Sequence, residues 1–321
     1  MFSMRMSTPV LITGASGFVG SNLLRRLIKE VPPKRVHIVL RKNSDTWRID
    51  DILKKVSVHI VDLRSQSAAD ALVRRVKPKT IFYLAVHGAY SCQQHDEKEI
   101  FDTNILCTFH LMQSCLQFGF DAFINTGSIA EYGTKKKPMR EDDVLKPMTA
   151  YGASKAWATL YGQYAALAKK APIVTLRLSG VYGFYESRGR LIPNVILTLL
   201  KNERPRLATP QTASDFIFID DVVRAYLRAA ERPSAGTIFN IGSGEKTTLA
   251  EIFSLIAGIM RVRTQPVWDK SMARSFDSRH RVADIRLAQS SLGWEPKTSL
   301  RDGLQKTVDW FQKNNAFYSK T

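Results

Sequence analysis

Tyr151 and Lys155 stand four residues apart in the run Tyr151-Gly152-Ala153-Ser154-Lys155. On a helix that spacing puts both side chains on one face. An ammonium beside a phenol favours the phenolate and brings the tyrosine toward the range where it can donate and accept protons. A hydroxyl 23 residues earlier, Ser128 in Asn125-Thr126-Gly127-Ser128-Ile129-Ala130-Glu131-Tyr132-Gly133, follows a run that reads as a strand, Ala122 to Thr126. At a strand exit a hydroxyl can bind the oxygen of a reacting carbonyl. A Tyr and a Lys at this spacing are commonly surface residues; the Ser128 segment sets this pair apart and makes Ser128, Tyr151 and Lys155 a candidate catalytic triad.

A second constellation lies near the N-terminus. Val10-Leu11-Ile12-Thr13 reads as a short strand, and Val19, Leu23, Leu24, Leu27 and Ile28 recur at helical spacing. Between them runs Gly14-Ala15-Ser16-Gly17-Phe18-Val19-Gly20. The three glycines suit a tight turn leaving the strand, close backbone approach to a pyrophosphate, and tight contact of the new helix with the sheet. The anion would then meet free N–H groups at a helix N-terminus. The spacing Gly-x-x-Gly-x-x-Gly is one residue wider at its first step than the dehydrogenase fingerprint. Strand, glycine loop and helix in this order predict a Rossmann-type unit holding a nicotinamide dinucleotide.

At the end of the second strand, where an NAD-specific domain places an acid to grip the ribose hydroxyls, the chain has Leu40-Arg41-Lys42-Asn43-Ser44. Arg41 and Lys42 suit a 2′-phosphate, so NADP(H) is the favoured cofactor and NAD(H) the alternative. At the third strand end, Asp62 and Leu63 are placed to cover the adenine edge, with a helix cap as the other role for Asp62.

The elements that must position these groups alternate. Apolar runs at Val36 to Leu40, Val56 to Val61, Thr80 to Val86, Ala122 to Thr126 and Ile173 to Leu178 are separated by helical or loop segments. That pattern predicts an α/β fold with a doubly wound parallel sheet covered on both faces. After Gly183 the prolines 193, 205, 210, 233 and 266 break the chain into shorter pieces. Residues 1–182 are therefore assigned to the dinucleotide domain, with return segments at about 215–243 and 277–290, and 183–321 mainly to a smaller C-terminal substrate-binding lobe.

The 321 residues, 44% hydrophobic and 24% charged, suffice for a large core and exclude disorder. No apolar stretch approaches the roughly 20 residues of a membrane span, and Met1 to Thr8 lacks the apolar run of a secretion signal, so a cytoplasmic location is expected. Cys92, Cys107 and Cys115 are too few for a disulfide framework and show no zinc spacing, so they are read as reduced packing residues and no metal is expected. The 47 Lys+Arg against 29 Asp+Glu give a net charge of +18. That balance favours anionic ligands, but the basic residues are dispersed and accompany no nucleic-acid module, which argues for a solvated basic surface.

Together the glycine loop, the Ser128 segment, Tyr151-x-x-x-Lys155 and Leu176-Arg177-Leu178 resemble the extended short-chain dehydrogenase/reductases that act on nucleotide sugars. The likeness runs from Thr13 to Trp310 and includes Asp215-Phe216-Ile217-Phe218-Ile219-Asp220-Asp221-Val222, Asn240-Ile241-Gly242-Ser243-Gly244 and Leu292-Gly293-Trp294. The resemblance implies that Tyr151 is the acid/base, that Lys155 lowers its pKa and holds the nicotinamide ribose, and that Ser128 orients the sugar oxygen. It implies cofactor contacts at Gly14, Ser16, Gly17, Phe18, Val19, Gly20, Leu84, Ala85 and Asn104. It implies sugar-nucleotide contacts at His87 and Asn194, with Tyr90 and Ser91 nearby, and at Arg274 for the diphosphate. The family often has arginine where this chain has Ser214, a second diphosphate contact for which Arg190, Arg206 or Arg279 would compensate. A homodimer pairing the helices around Asp96 to Phe118 and Tyr151 to Lys169 is also implied.

Family members that dehydrate the sugar carry acidic residues just after the hydroxyl residue; here those positions hold Ile129 and Ala130, which argues against dehydration. Glu131 before Tyr132-Gly133 resembles reductases of NDP-4-keto-6-deoxyhexoses. With Arg41 and Lys42 favouring NADPH, 4-ketoreduction leads and an NAD-dependent NDP-sugar 4-epimerase is the alternative. A Rossmann protein that senses NAD(P) without chemistry is a third reading, against which the complete triad argues.

Overall fold

The computed structural model describes residues 6–89, 95–273 and 281–318. Seven strands make one parallel sheet: β1 (Val10–Thr13), β2 (Val36–Leu40), β3 (Ser57–Ile60), β4 (Thr80–Tyr83), β5 (Ala122–Ser128), β6 (Ile173–Leu178) and β11 (Ile238–Ile241), in the order β11-β6-β5-β4-β1-β2-β3. Between β6 and β11 in the chain come the short strands β7 (Gly180–Tyr182), β8 (Arg206–Leu207), β9 (Ala213–Ser214) and β10 (Phe216–Phe218). β7 and β10 pair with each other in parallel.

Helices cover both faces, as the alternating pattern requires: α1 (Phe18–Glu30), α2 (Gln66–Val76), α3 (Glu97–Phe101), α4 (Cys107–Phe118), α5 (Ala150–Lys169), α6 (Leu191–Leu200), α7 (Ile219–Glu231), α8 (Leu249–Met260) and α9 (Leu300–Asn314). A π-helical turn, Asp102–Leu106, joins α3 to α4. The fold is the expected doubly wound Rossmann type. Central strands β1, β4 and β6 are buried at every position, which is why they read as mainly apolar runs, Arg177 on β6 being the charged exception. The edge strand β3 alternates instead, leaving Val58 and Ile60 exposed.

Strand order reverses between β1 and β4, and ligands of open α/β sheets bind at the carboxyl ends of strands at such a point. Thr13 at the end of β1 accepts hydrogen bonds at its Oγ1 from the N–H groups of Leu84 (3.2 Å) and Ala85 (3.1 Å), pinning the two strand ends together.

Three buried polar groups join remote segments. Glu131, with no exposed surface, pairs with Arg177 on β6 (Oε2 to Nε, 2.7 Å). Arg177 also donates to the Tyr132 hydroxyl, which donates to Asn240 on β11 (2.8 Å). Asp215 accepts from the N–H groups of Ser243, Gly244 and Ala283 and from the Ser243 hydroxyl. Asp221 accepts from the N–H groups of Lys297 and Thr298 and from Arg224. Cys107 and Cys115 are free and buried; Cys92 lies outside the described residues. No helix among the described residues is long and apolar enough to cross a membrane.

A buried ion pair has paid the desolvation of both charges, so removing one partner leaves the other uncompensated. Arg177→Met is expected to lower stability by about 3–5 kcal/mol, read as a reduced urea midpoint at unchanged m-value.

Candidate active site

The glycine loop sits where the strand order reverses. Gly14 has φ +68°, and a Cβ there would lie 2.6 Å from the Leu84 carbonyl. A Cβ on Gly20 would lie 2.1 Å from the Gly14 carbonyl oxygen, so the first turn of α1 touches the loop backbone itself. Gly17 is the N-cap of α1 and supplies no side-chain cap, and the first turn carries no acid. Its free N–H groups and the positive helix end are left for an anion. A dinucleotide pyrophosphate fits this cradle on the geometry alone.

A cleft of about 660 Å³ runs from this loop to the C-terminal segments. Gly14, Ser16, Gly17, Phe18, Val19, Gly20, Arg41, Asp62, Leu63, Leu84, Ala85, Ser128, Tyr151, Lys155 and Asn194 all line it. Three expected contacts do not. Lys42 is exposed and does not line the cleft, leaving Arg41 as the one member of the basic pair there. Asn104 is fully enclosed one layer behind: its Oδ1 accepts from the His87 N–H (2.8 Å), and its Nδ2 donates to the His87 carbonyl and the Ser154 hydroxyl (both 2.9 Å). It fastens the loop after β4 to the helix that carries Tyr151, so it supports the site without facing it. His87 also lies off the lining, held by these backbone bonds. Arg274, Tyr90, Ser91 and Arg279 fall outside the described residues.

Asp62 is not a helix cap; Ser65 caps α2, accepting from the Ala68 N–H. The Arg64 guanidinium grips both Asp62 oxygens and holds that carboxyl below its ordinary range. Arg41 in turn is paired with Glu99 (2.9 Å). At this end of the cleft two arginines therefore face two carboxylates, and Arg41 is not the unopposed cation that a 2′-phosphate would favour.

At the other end the triad assembles. β5 runs through to Ser128, two residues beyond the expected strand end, and Ser128 then caps a 3₁₀ turn, Ile129–Tyr132. Its Oγ accepts from the Ala130 N–H (3.1 Å), and its N–H donates to Glu131 Oε1 (2.8 Å). With that lone pair used, the hydroxyl hydrogen is free for a second oxygen, and the Tyr151 phenol lies within hydrogen-bonding reach. Thr149 caps α5 through the Gly152 N–H (3.0 Å). Gly152 was not singled out by the spacing argument, yet a Cβ there would stand 2.7 Å from the Ala130 carbonyl oxygen. Only glycine lets the first turn of α5 close on the Ser128 turn.

Lys155 is 3% exposed and donates from Nζ to the Thr126 carbonyl (2.9 Å), which leaves two of its N–H donors for other partners. Burial drives its pKa down to about 8, opposed by the charge of Glu131. Burial raises the Tyr151 phenol, opposed by the Ser128 hydrogen bond and by the charges of Arg190 and Arg281. Glu131 itself is a structural residue: one oxygen caps Ser128 and the other holds Arg177, so it presents no free atom to the cleft. The resemblance of Glu131 to a reductase signature therefore carries no chemistry here.

Arg190, Arg206 and Arg281 line the cleft beyond the triad, near Ser214. Arg206 is bound to Asp269 (2.6 Å). Among the described residues, six basic side chains (Arg41, Arg64, Lys155, Arg190, Arg206, Arg281) thus face two acids (Asp62, Glu186) along the lining, a balance that suits ligands with phosphate groups at both ends.

A family model described as NAD dependent epimerase/dehydratase matches residues 10–242. The chain belongs to this family. Three similar relatives carry three different reactions. A putative UDP-glucose 4-epimerase of Methanocaldococcus jannaschii is 26% identical, over 95% of this chain and 99% of the relative. A dTDP-glucose 4,6-dehydratase of Streptomyces griseus is 28% identical over 98% and 97%. A dTDP-4-dehydro-6-deoxyglucose reductase of Escherichia coli is 25% identical over 93% and 96%. Among solved structures, MoeE5 in complex with UDP-glucose and NAD superposes with a TM-score of 0.83 at 29% identity, covering 95% of this chain and 99% of that one. Membership in the epimerase/dehydratase family thus rests on residues 10–242, and relatives of similar identity carry three different reactions.

A methyl group at residue 20 must push the Gly14 carbonyl out of the cradle. Gly20→Ala is expected to weaken dinucleotide binding by more than about tenfold, roughly 1.4 kcal/mol, measured by calorimetric titration, with the far-ultraviolet circular dichroism unchanged.

Proposed function

We propose that this chain interconverts the configuration at C4 of a nucleotide-diphosphate hexose, using NAD held on the glycine loop. The observation that supports this most is the convergence of Ser128, Tyr151 and Lys155 at one end of a cleft whose other end is the pyrophosphate cradle. On this reading the segments after Tyr182 that complete the cleft, Asn194 and the lining from Arg206 to Ser214 among them, hold the nucleotide sugar.

The dinucleotide supplies the hydride acceptor and donor. Tyr151 takes the proton of the sugar hydroxyl as its carbon is oxidised and returns it after the ketone has turned over in the cleft. Ser128, its lone pair occupied by the Ala130 N–H, donates to the sugar oxygen. With the dinucleotide bound, the Lys155 ammonium would offer its two remaining donors to ribose hydroxyls and its charge to the phenolate. No carboxylate stands at positions 129 and 130, and Ile129 is buried, so the acid–base pair that water loss requires is missing beside Ser128.

NAD rather than NADP is supported by the pairing of Arg41 with Glu99 and by the absence of Lys42 from the described cleft lining; the relative MoeE5 was solved with NAD. The second reading, reduction of an NDP-4-keto-6-deoxyhexose by NADPH, keeps one observation in its favour: Arg41 does line the cleft. The purified protein, assayed for its bound cofactor and then offered UDP- and dTDP-hexoses, separates the two. Bound NAD and conversion between 4-epimers is the expected result; consumption of NADPH with a 4-keto sugar overturns it. The exposed Leu160, Tyr164 and Leu167 on α5 support a homodimer through this helix, and a monomer on gel filtration at working concentration would remove it.

Tyr151→Phe is expected to lower kcat by about 10²- to 10⁴-fold while cofactor affinity changes little. Because Lys155 is charged below its pKa of about 8 and neutral above it, kcat/KM is expected to fall as the pH rises through about 8. That limb should move to higher pH in Lys155→Arg.

A further inference from the structure

The loop 183–190 leads from the end of β7, whose residues line the cleft, to α6, which brings Asn194 to it. Its backbone is fixed. The Glu186 carbonyl accepts from the Tyr318 hydroxyl (2.7 Å), and the Tyr185 carbonyl accepts from Arg48 (2.8 Å). Glu186 also lines the cleft, yet it is 3% exposed. Its Oε1 faces Arg190 Nε at 3.4 Å; its Oε2 is buried and makes no hydrogen bond of normal geometry, the nearby Gly183 N–H acting on the carboxylate without completing one. Buried carboxylate oxygens in folded proteins are almost always satisfied, so an orphan in a binding cleft marks a partner that arrives from outside the chain. Arg190 acts electrostatically on the Tyr151 phenol, which places the Glu186–Arg190 pair near the reacting end.

We propose that Glu186 is a recognition residue: its Oε2 accepts a hydrogen bond from an O–H or N–H donor on the ligand held at the reacting end of the cleft. This rests on the nucleotide-sugar reading. Two sources carry such a donor there, a sugar hydroxyl or acylamino group and the nicotinamide carboxamide. An ionised carboxylate has no hydrogen to give, so it selects for ligands with a donor at that point and against those with a carbonyl or a deoxy carbon.

The surroundings make this acceptor pH-dependent. Burial raises the Glu186 carboxyl to about 7, against the pull of Arg190 at the start of α6, the Gly183 N–H and Arg48 from the segment after β2. The buried Tyr182 phenol faces it from β7. Below neutrality the protonated carboxyl loses acceptor strength, so the ligand contact strengthens as the pH rises through about 7.

The test titrates the full chain with NAD, with UDP and dTDP, and with UDP- and dTDP-glucose and galactose. It compares wild type, Glu186→Leu and Glu186→Gln at pH 6 and pH 8. The expected result is that the gain in affinity of a nucleotide sugar over its bare nucleotide falls at least tenfold in Glu186→Leu. Glu186→Gln, which keeps an acceptor, should retain most of it. Wild type should show a larger gain at pH 8 than at pH 6, and Glu186→Gln should show none of that pH dependence. A loss confined to NAD identifies the carboxamide as the donor and supports the same contact from the other source. Unchanged sugar and NAD affinities in a folded Glu186→Leu overturn the proposal. If that variant does not fold, a wild-type pH response identical to that of Glu186→Gln overturns it. Failure of wild type to bind any nucleotide sugar overturns the functional reading instead, and the NAD titrations alone then decide the role of Glu186.

Discussion

The buried pair between Glu131 and Arg177 fixes the geometry on which the candidate site depends. It joins the turn after β5 to β6, and through Tyr132 and Asn240 it reaches β11. Glu131 also caps Ser128, so the same carboxylate that neutralises Arg177 determines where the Ser128 hydroxyl points. Gly127 makes room for it, since a Cβ there would lie 2.6 Å from Glu131 Oε1. The family motifs around Ser128, Arg177 and Asn240 are thus parts of one polar cluster in space. Low dielectric surroundings make such a cluster rigid when every member is satisfied and costly when one is missing.

That rigidity serves a proton-transfer group. Tyr151 needs a fixed distance to Ser128 and Lys155, and each is set by a different element: the 3₁₀ turn, the tight entry of α5 allowed by Gly152, and the carbonyl of Thr126. Thr126 is itself bonded to the Tyr83 carbonyl (2.7 Å) and the Tyr226 hydroxyl, so the anchor of Lys155 is tied to β4 and α7. Burial then raises the phenol and lowers the ammonium, so two groups of nearly equal proton affinity in water are driven apart, the phenol keeping its proton more firmly than the ammonium.

Local pattern revealed what depends on local spacing. The strand positions, the glycine cradle and the Tyr–Lys face follow from periodicity and from residues a few positions apart, whereas the strand order does not. The role of Glu131 did not, because its partner lies 46 residues away on another strand. Resemblance ties Asn104 to the cofactor region, but only coordinates show that its side chain bonds the His87 backbone and the Ser154 hydroxyl. Arg41 and Lys42 looked equivalent as neighbours in the chain, yet successive residues leaving a strand point in different directions. Glu186 had no signal at all: a lone acid in a loop is ordinary until three-dimensional packing strips it of water.

Asp215 has a consequence for how such a protein can change over evolutionary time. Its carboxylate gathers N–H groups from residues 243, 244 and 283, so the segments before β10, after β11 and around residue 283 are joined through one buried carboxylate. The segments that shape the far end of the cleft are therefore not a detachable cassette. Recombination that exchanged them wholesale with a relative would have to carry the carboxylate and all of its donors together, which leaves point substitution along the lining as the accessible route to a new substrate.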